Sequence, residues 1–282
     1  MRIGIIAPSD LQSFWEQHLR TFQSVREVVM VTKTDALPDV DACLFGASTD
    51  NPVEEALSLL KHSIHLMWLL PLPGSVNIAN RFIKVAEESG AVAQFICWSV
   101  HTPALQKMMQ LIAHPQRILI RRNLPHQEFI KSRISPGQLN QEEIAYCCYW
   151  VNHSLYDVHI ARMPDTQDHS AISMTDILFA NGTRCSIHVD TVAKNHEHIR
   201  CISNTGLLLR HDVTENKVVR IDAGHDRDIR IIPETLPETP PARHALTTFF
   251  RSISRPSFRI FDPHELKRYC RVTEALQRKS TR

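Results

Sequence analysis

Met1-Arg-Ile-Gly-Ile-Ile-Ala-Pro-Ser-Asp-Leu-Gln12 is the stretch on which the fold assignment turns. Arg2 to Ile6 is a short apolar run of the kind found in strands buried on both faces. Leu11 to Phe22 then places apolar residues at helical spacing, with Ser9 or Asp10 positioned as its cap. A strand running through a tight turn into a helix is the opening unit of a doubly wound α/β domain. The turn has no glycine, so it lacks the residue that lets backbone close around a phosphate group.

The alternation continues to about residue 97. Val28 to Val31, Ala42 to Phe45, His65 to Leu70 and Val92 to Cys97 read as strands. Between them, Pro52 to Leu60 begins as a helix should, with proline in its first turn and Glu54 and Glu55 at the positive end of the dipole. Val76 to Ser89 reads as a helix stopped by Gly90. Short strands with little polar alternation suit a parallel sheet covered on both faces.

The second half has a different rhythm. A helix at Pro103 to Ile112 and a strand at Arg117 to Arg121 precede a longer helical region over about Gln141 to Ile160. Ala171 to Phe179, Thr183 to Asp190, His198 to Ser203 and Gly206 to His211 then read as strands of a broad, mainly antiparallel sheet. Asn181-Gly182 is a hairpin signal, Pro233 to Pro241 a proline-rich connection, and Ala242 to Ser252 and Pro263 to Lys279 are helical. The expected architecture is an α/β Rossmann-like domain over 1–97 and an α+β domain built on an open, mainly antiparallel sheet over 98–282.

Composition narrows the classes. With 32 basic and 30 acidic residues in 282, no strong field favours nucleic acid, and the basic runs at Arg117 to Arg122 and Arg278 to Arg282 read as solvated surface. The most membrane-like run, Ile64 to Pro73, is too short to span a bilayer and contains His65 and two prolines. The N-terminus passes directly into a strand, without a basic segment followed by a long apolar one, and the seven cysteines show no Cys-x-x-Cys spacing. These features predict a cytoplasmic protein with reduced thiols and no nucleic-acid or membrane partner. His188, Asp190, His196 and His198 have no recognised zinc spacing, so no metal is expected.

Taken in order, the N-terminal strand-turn-helix, Val40 to Phe45, Asn51 to Ala56, His65 to Pro71, Phe179-Ala-Asn-Gly182, Asn204-Thr-Gly206 and the helix from Asp262 to Ser280 resemble the glucose-fructose oxidoreductase, inositol dehydrogenase and MocA-like family over nearly the whole chain. The resemblance implies a Rossmann domain followed by an open-sheet domain, with NAD or NADP used to oxidise or reduce sugars and similar substrates. It also implies a small-molecule ligand in the interdomain cleft and homo-oligomer contacts through the outer face of the second sheet.

On that resemblance the nucleotide-side residues are Ala7, Ser9, Asp10, Lys33 and Pro71. Ala7, Ser9 and Gln12 stand where the family has glycines, Pro8 brings no N–H, and Asp10 brings negative charge. Thr32-Lys33 replaces the acidic ribose ligand, and Leu70 replaces the lysine of the family's Glu-Lys-Pro segment. A leucine can neither donate a proton nor stabilise a developing alkoxide. The family's Asp-x-Gly-x-His-x-x-Asp pattern falls on Tyr149 to Asp157, where His153 keeps the histidine. Helical i,i+4 spacing would let Asp157 orient it, with Tyr156 as a hydroxyl source and Asn152 and Trp98 as ligand-lining residues.

The expectation is a divergent, catalytically degenerate relative acting as a ligand-binding, regulatory or assembly protein, with no cofactor and a homo-oligomer or other protein partner. The alternatives are an NAD(P)-dependent oxidoreductase on a sugar-like substrate and a nonredox lyase or isomerase using His153 and Asp157.

Overall fold

The computed structural model describes residues 1–32, 34, 39–46, 49–125, 136–164, 170–223, 229–255, 257–258 and 260–280. They form two compact units, Met1–His101 with Thr239–Cys270 and Thr102–Glu238 with Arg271–Arg282.

The first unit carries a five-stranded parallel sheet in the order β2-β1-β3-β4-β5. Its strands are β1 (Arg2–Ile6), β2 (Glu27–Val31), β3 (Ala42–Phe45), β4 (His65–Trp68) and β5 (Ala93–Phe95). The order reverses direction beside β1, the place where open α/β sheets leave a crevice at their carboxyl ends. Three helices connect the strands: α1 (Ser9–Leu19), α2 (Pro52–Lys61) and α3 (Val76–Ser89). α3 stops at Gly90, left-handed at φ 68°, as its sequence signals, and the structure adds a cap at its start, the Ser75 hydroxyl accepting from the Asn77 N–H at 3.2 Å. α1 does not start as its sequence suggests. Ser9 and Asp10 lie inside its first turn, Pro8 is the cap, and no side chain caps the helix.

Two helices open the second unit, α4 (Pro103–Leu111) and, after the strand β6 (Arg117–Pro125), α5 (Pro136–Val151). The sheet is completed by β7 (Leu155–Pro164), β8 (Ser170–Phe179), β9 (Arg184–Ala193), β10 (Glu197–Ser203), β11 (Leu207–Asp212), β12 (Lys217–Ala223) and β13 (Ile229–Glu234). Its order is β13-β12-β11-β10-β6-β9-β8-β7, and only β6 with β9 is parallel. The hairpin between β8 and β9 turns on Gly182 at φ 84°, with Asn181 Oδ1 accepting from the Thr183 N–H.

Two sequence expectations need correcting here. The helix does not continue to Ile160, because Asn152 takes the left-handed conformation, φ 55°, and the chain leaves as β7. Residues 155–160 carry a strand alternation that puts Val158 into the core. The strands β12 and β13 were not expected, and Pro233 is tolerated because β13 is an edge strand with no partner beyond it in the sheet.

After β13 the chain returns to the first unit. The helix α6 (Pro241–Ser254) places Ala242, Ala245, Leu246 and Phe249 in one apolar cluster with Ile3, Ile5, Leu44 and Met67. Gln94, fully buried on β5, ties to the same helix by donating to the Ala245 carbonyl at 3.1 Å. The last helix, α7 (Pro263–Ser280), runs from the first unit into the second. No helix among the described residues is long and apolar enough to cross a membrane.

The left-handed Asn152 yields a stability prediction. Asn152→Gly should leave the unfolding free energy within a few tenths of a kcal/mol, whereas Asn152→Val should lower it by about 1–2 kcal/mol, read from urea unfolding.

Candidate functional site

At the carboxyl ends of β1 and β3 the backbone is closely packed. Only Ala7 and Pro8 separate β1 from α1, and the first intrahelical bond runs from the Gln12 N–H to the Pro8 carbonyl at 2.9 Å. Ala7 is buried, while Pro8, Ser9 and Asp10 are exposed. Gly46, just past β3, donates its N–H to the Ile6 carbonyl at 2.7 Å. A Cβ on Gly46 would come within 3.2 Å of Leu69 Cβ and 3.4 Å of Ala7 Cβ, so a larger residue at this position would press on both. Gln12 takes the last of the three positions where the family has glycines, and its amide donates to the Val31 carbonyl at the end of β2 at 2.9 Å. Leu70 is half-buried and Pro71 exposed, the latter accepting from Trp68 Nε1 at 3.1 Å. Lys33 lies outside the described residues. Trp98 is 43% exposed and stacks on Trp15 of α1, ring centroids 5.9 Å apart and planes at 11°.

The polar constellation of the second unit is not on a helix. His153 follows the end of α5 and is exposed, and Tyr156 and Asp157 lie on β7, with Tyr156 74% exposed. Asp157 does not orient His153 through helical i,i+4 spacing. Its carboxylate accepts from Lys279 at 2.6 Å and lies 2.8 Å from His159 Nε2. The Lys279 ammonium, helped by the Val158 N–H, holds it below the usual carboxylate range.

A polar cluster that the sequence does not advertise lies between α5 and the sheet. Glu143, fully buried on α5, accepts from Arg200 Nε at 2.9 Å and from Nη2 at 3.0 Å. His198 Nε2 is 3.0 Å and Arg122 Nη1 3.4 Å from the same carboxylate. Arg200 also lies 4.1 Å from the centre of the Tyr146 ring, one turn along α5. Sheet register gathers the group: His198 pairs with Arg122, and Arg200 with His211. Burial works against the Glu143 charge, but Arg200 and His198 outweigh it and hold the carboxyl well below its usual range. Burial lowers His198 as well, and lowers His211 to about 3, with the Arg200 charge adding to the effect.

No family model matches the sequence, and no curated protein is similar to it in sequence. Solved structures do match over the full length. UDP-N-acetylglucosamine 3-dehydrogenase from Acidithiobacillus ferrooxidans superposes with a TM-score of 0.82 at 17% identity, covering 100% of this chain and 99% of that one. An NAD binding oxidoreductase from Klebsiella pneumoniae gives 0.82 at 11% identity, with 100% and 98% covered. An oxidoreductase from Agrobacterium radiobacter, solved in complex with NAD+, L-tartaric acid and magnesium, gives 0.80 at 9% identity, with 100% and 96% covered. The chain shares their fold. The architecture expected from the sequence, a Rossmann-like unit and an open-sheet unit, is the one observed.

The Glu143 cluster sets the acid stability of the second unit. Glu143→Gln leaves Arg200 buried without its counter-charge and should cost about 3–5 kcal/mol, measured by urea unfolding at pH 7. The pH dependence has a definite sign. His198 and His211 both bind a proton less readily when folded than an ordinary histidine, so below the ordinary histidine value of 6.5 the unfolded chain binds more protons than the folded chain. Below about 4.5 Glu143 adds to the loss in the same direction. Stability should therefore fall as pH drops from 6.5 to 4, and His211→Phe should flatten the upper part of that fall.

Proposed function

We propose that this chain keeps the oxidoreductase fold without dinucleotide-dependent hydride transfer, and serves as a ligand-binding, regulatory or assembly protein. The turn after β1 carries this reading. A pyrophosphate cradle needs close backbone approach and inward-facing N–H groups. Here Ala7, Ser9 and Gln12 stand where the resemblance places glycines, Pro8 has no N–H, and Asp10 brings a carboxylate into the first turn of α1. The residues at this end do not fit a pyrophosphate. Leu70, in the position of the lysine expected by resemblance, removes the group that would act on substrate, so the two departures point the same way.

Calorimetric titration of the full chain with NAD, NADH, NADP and NADPH should give no saturable heat up to about 1 mM. Micromolar binding of any one of them would sink this reading and favour the second, an NAD(P)-dependent oxidoreductase. That alternative draws its support from the solved structures above, one of which contains NAD+. The nonredox alternative built on His153 and Asp157 loses its geometric argument, since the helix that was to align them ends at Val151.

Self-association is assigned to the outer face of the eight-stranded sheet, the face opposite α5. Leu119, Met174, Ile229 and Ile231 are between 44% and 72% exposed there. Large apolar side chains exposed on one sheet face favour an interaction surface. The full chain should sediment as an oligomer, and Met174→Lys with Ile231→Lys should move it toward monomer without unfolding it. A wild-type monomer at about 100 μM overturns the assignment.

A further inference from the structure

Within the first unit, α6 has a second stripe beside the one that enters the sheet core. Thr247, Phe250, Arg251, Ser254, Arg255 and Phe258 recur at i, i+3, i+4, i+7, i+8 and i+11, the spacing of one helix face carried just past the helix end. Of this stripe, Phe250 leans on the apolar cluster while Arg251, Ser254 and Arg255 are exposed. With Phe22 and Ser24, from the turn after α1, the stripe borders a groove of about 600 Å³, the size of a small-ligand site.

The groove has two chemistries side by side. Its apolar wall is made of three phenylalanines. Phe22 meets Phe250 edge to face at 5.1 Å, and Phe258 lies 5.9 Å under the Arg251 guanidinium. Its rim is cationic. Arg251 and Arg255 are both exposed, no acidic side chain lines the groove, and neither arginine has a carboxylate within ion-pair distance among the described residues. Among the described residues, Arg2, Arg20, Arg81, Arg121, Arg122, Arg200, Arg210, Arg220, Arg268 and Arg278 each have such a partner. Favourable placement near the negative end of a helix explains one cation in the last turn. It does not account for Arg255, which follows the helix in an extended conformation and lines the same groove. The hydroxyls of Thr247 and Ser254 spend their protons on the Arg243 and Phe250 carbonyls, so the charged donors facing a ligand are the two guanidiniums, with the Ser24 hydroxyl beside them.

The geometry points to a binding site for an aromatic anion: a planar ring among Phe22, Phe250 and Phe258, with its phosphate, sulfonate or carboxylate on Arg251 and Arg255. Arginine forks match such groups in two-point fashion, and cation–π contact lets the same side chains cover the ring. Partition is the distinguishing property of such a site, since an aryl anion gains from both halves while either half alone gains little. The proposal does not rest on the dinucleotide reading above, because none of its residues belongs to the β1 turn.

The test is calorimetric titration of the full chain with 2-naphthyl phosphate, 2-naphthol and inorganic phosphate. The aryl phosphate should saturate one site at least about tenfold more tightly than either of the others. Arg251→Glu and Arg255→Glu should each weaken it by about tenfold or more, and Arg251→Lys by less. Both arginines are exposed, so the variants should keep the wild-type circular dichroism and melting temperature. Absence of saturable binding, aryl phosphate no tighter than 2-naphthol, or affinity unchanged in the double charge reversal would each overturn the site. NAD binding that survives the double reversal would overturn the earlier proposal and leave this one standing, whereas NAD binding lost with it supports the groove.

Discussion

A single buried carboxylate organises the second unit. Glu143 sits under the sheet with no exposure and is met by Arg200, His198 and Arg122, which come from two adjacent strands. Taking charges out of water is costly, and the arrangement holds only when every partner is in register. A slip of β10 against β6 by one residue would turn His198 and Arg200 to the other face and leave the buried Glu143 with only the longer Arg122 contact, at 3.4 Å, of these three. The cluster therefore penalises wrong registers as much as it stabilises the right one. Its Tyr146 face, with Arg200 over the ring, extends the same constraint along α5.

The first unit is held differently. Its sheet is apolar on both faces, and its polar ties are few and local, such as Gln94 to the Ala245 carbonyl and Gln12 to the Val31 carbonyl. In many sheets of this type the carboxyl end beside the central strand is the working end. Here Gly46 donates to the Ile6 carbonyl at that end, and a Cβ on it would meet Leu69 and Ala7. The layers and strand order are those of the matching solved structures, and a fold shared in this way does not by itself carry a chemistry.

Most of this was legible where signals were local. Val76 to Ser89 was readable to the residue, since Gly90 acts within its own turn of helix. The turn at Ala7 was readable for the same reason, as glycine is either present or absent there. The region after Tyr149 was not, because Trp150, Val151, Leu155 and Val158 fit a helical spacing almost as well as a strand, and the stop depends on the backbone angle of Asn152. The strand β13 was hidden by Pro233, whose meaning depends on lying at an edge. Glu143 could not be found from its neighbours at all. Its partner Arg200 is 57 residues away, and only strand register brings the two together.

The return of α6 to the first sheet has a consequence for how the protein is made. Ile3, Ile5, Leu44 and Met67 find part of their apolar cover in Ala242, Ala245, Leu246 and Phe249. That helix leaves the ribosome about 145 residues after β5, a delay on the order of ten seconds at ordinary elongation rates. Throughout that interval the eight-stranded sheet is being synthesised while one side of the parallel sheet has only the cover of α1. The first unit begun thus stays open until the second sheet has been made, and the nascent chain carries an exposed apolar surface that a chaperone can hold.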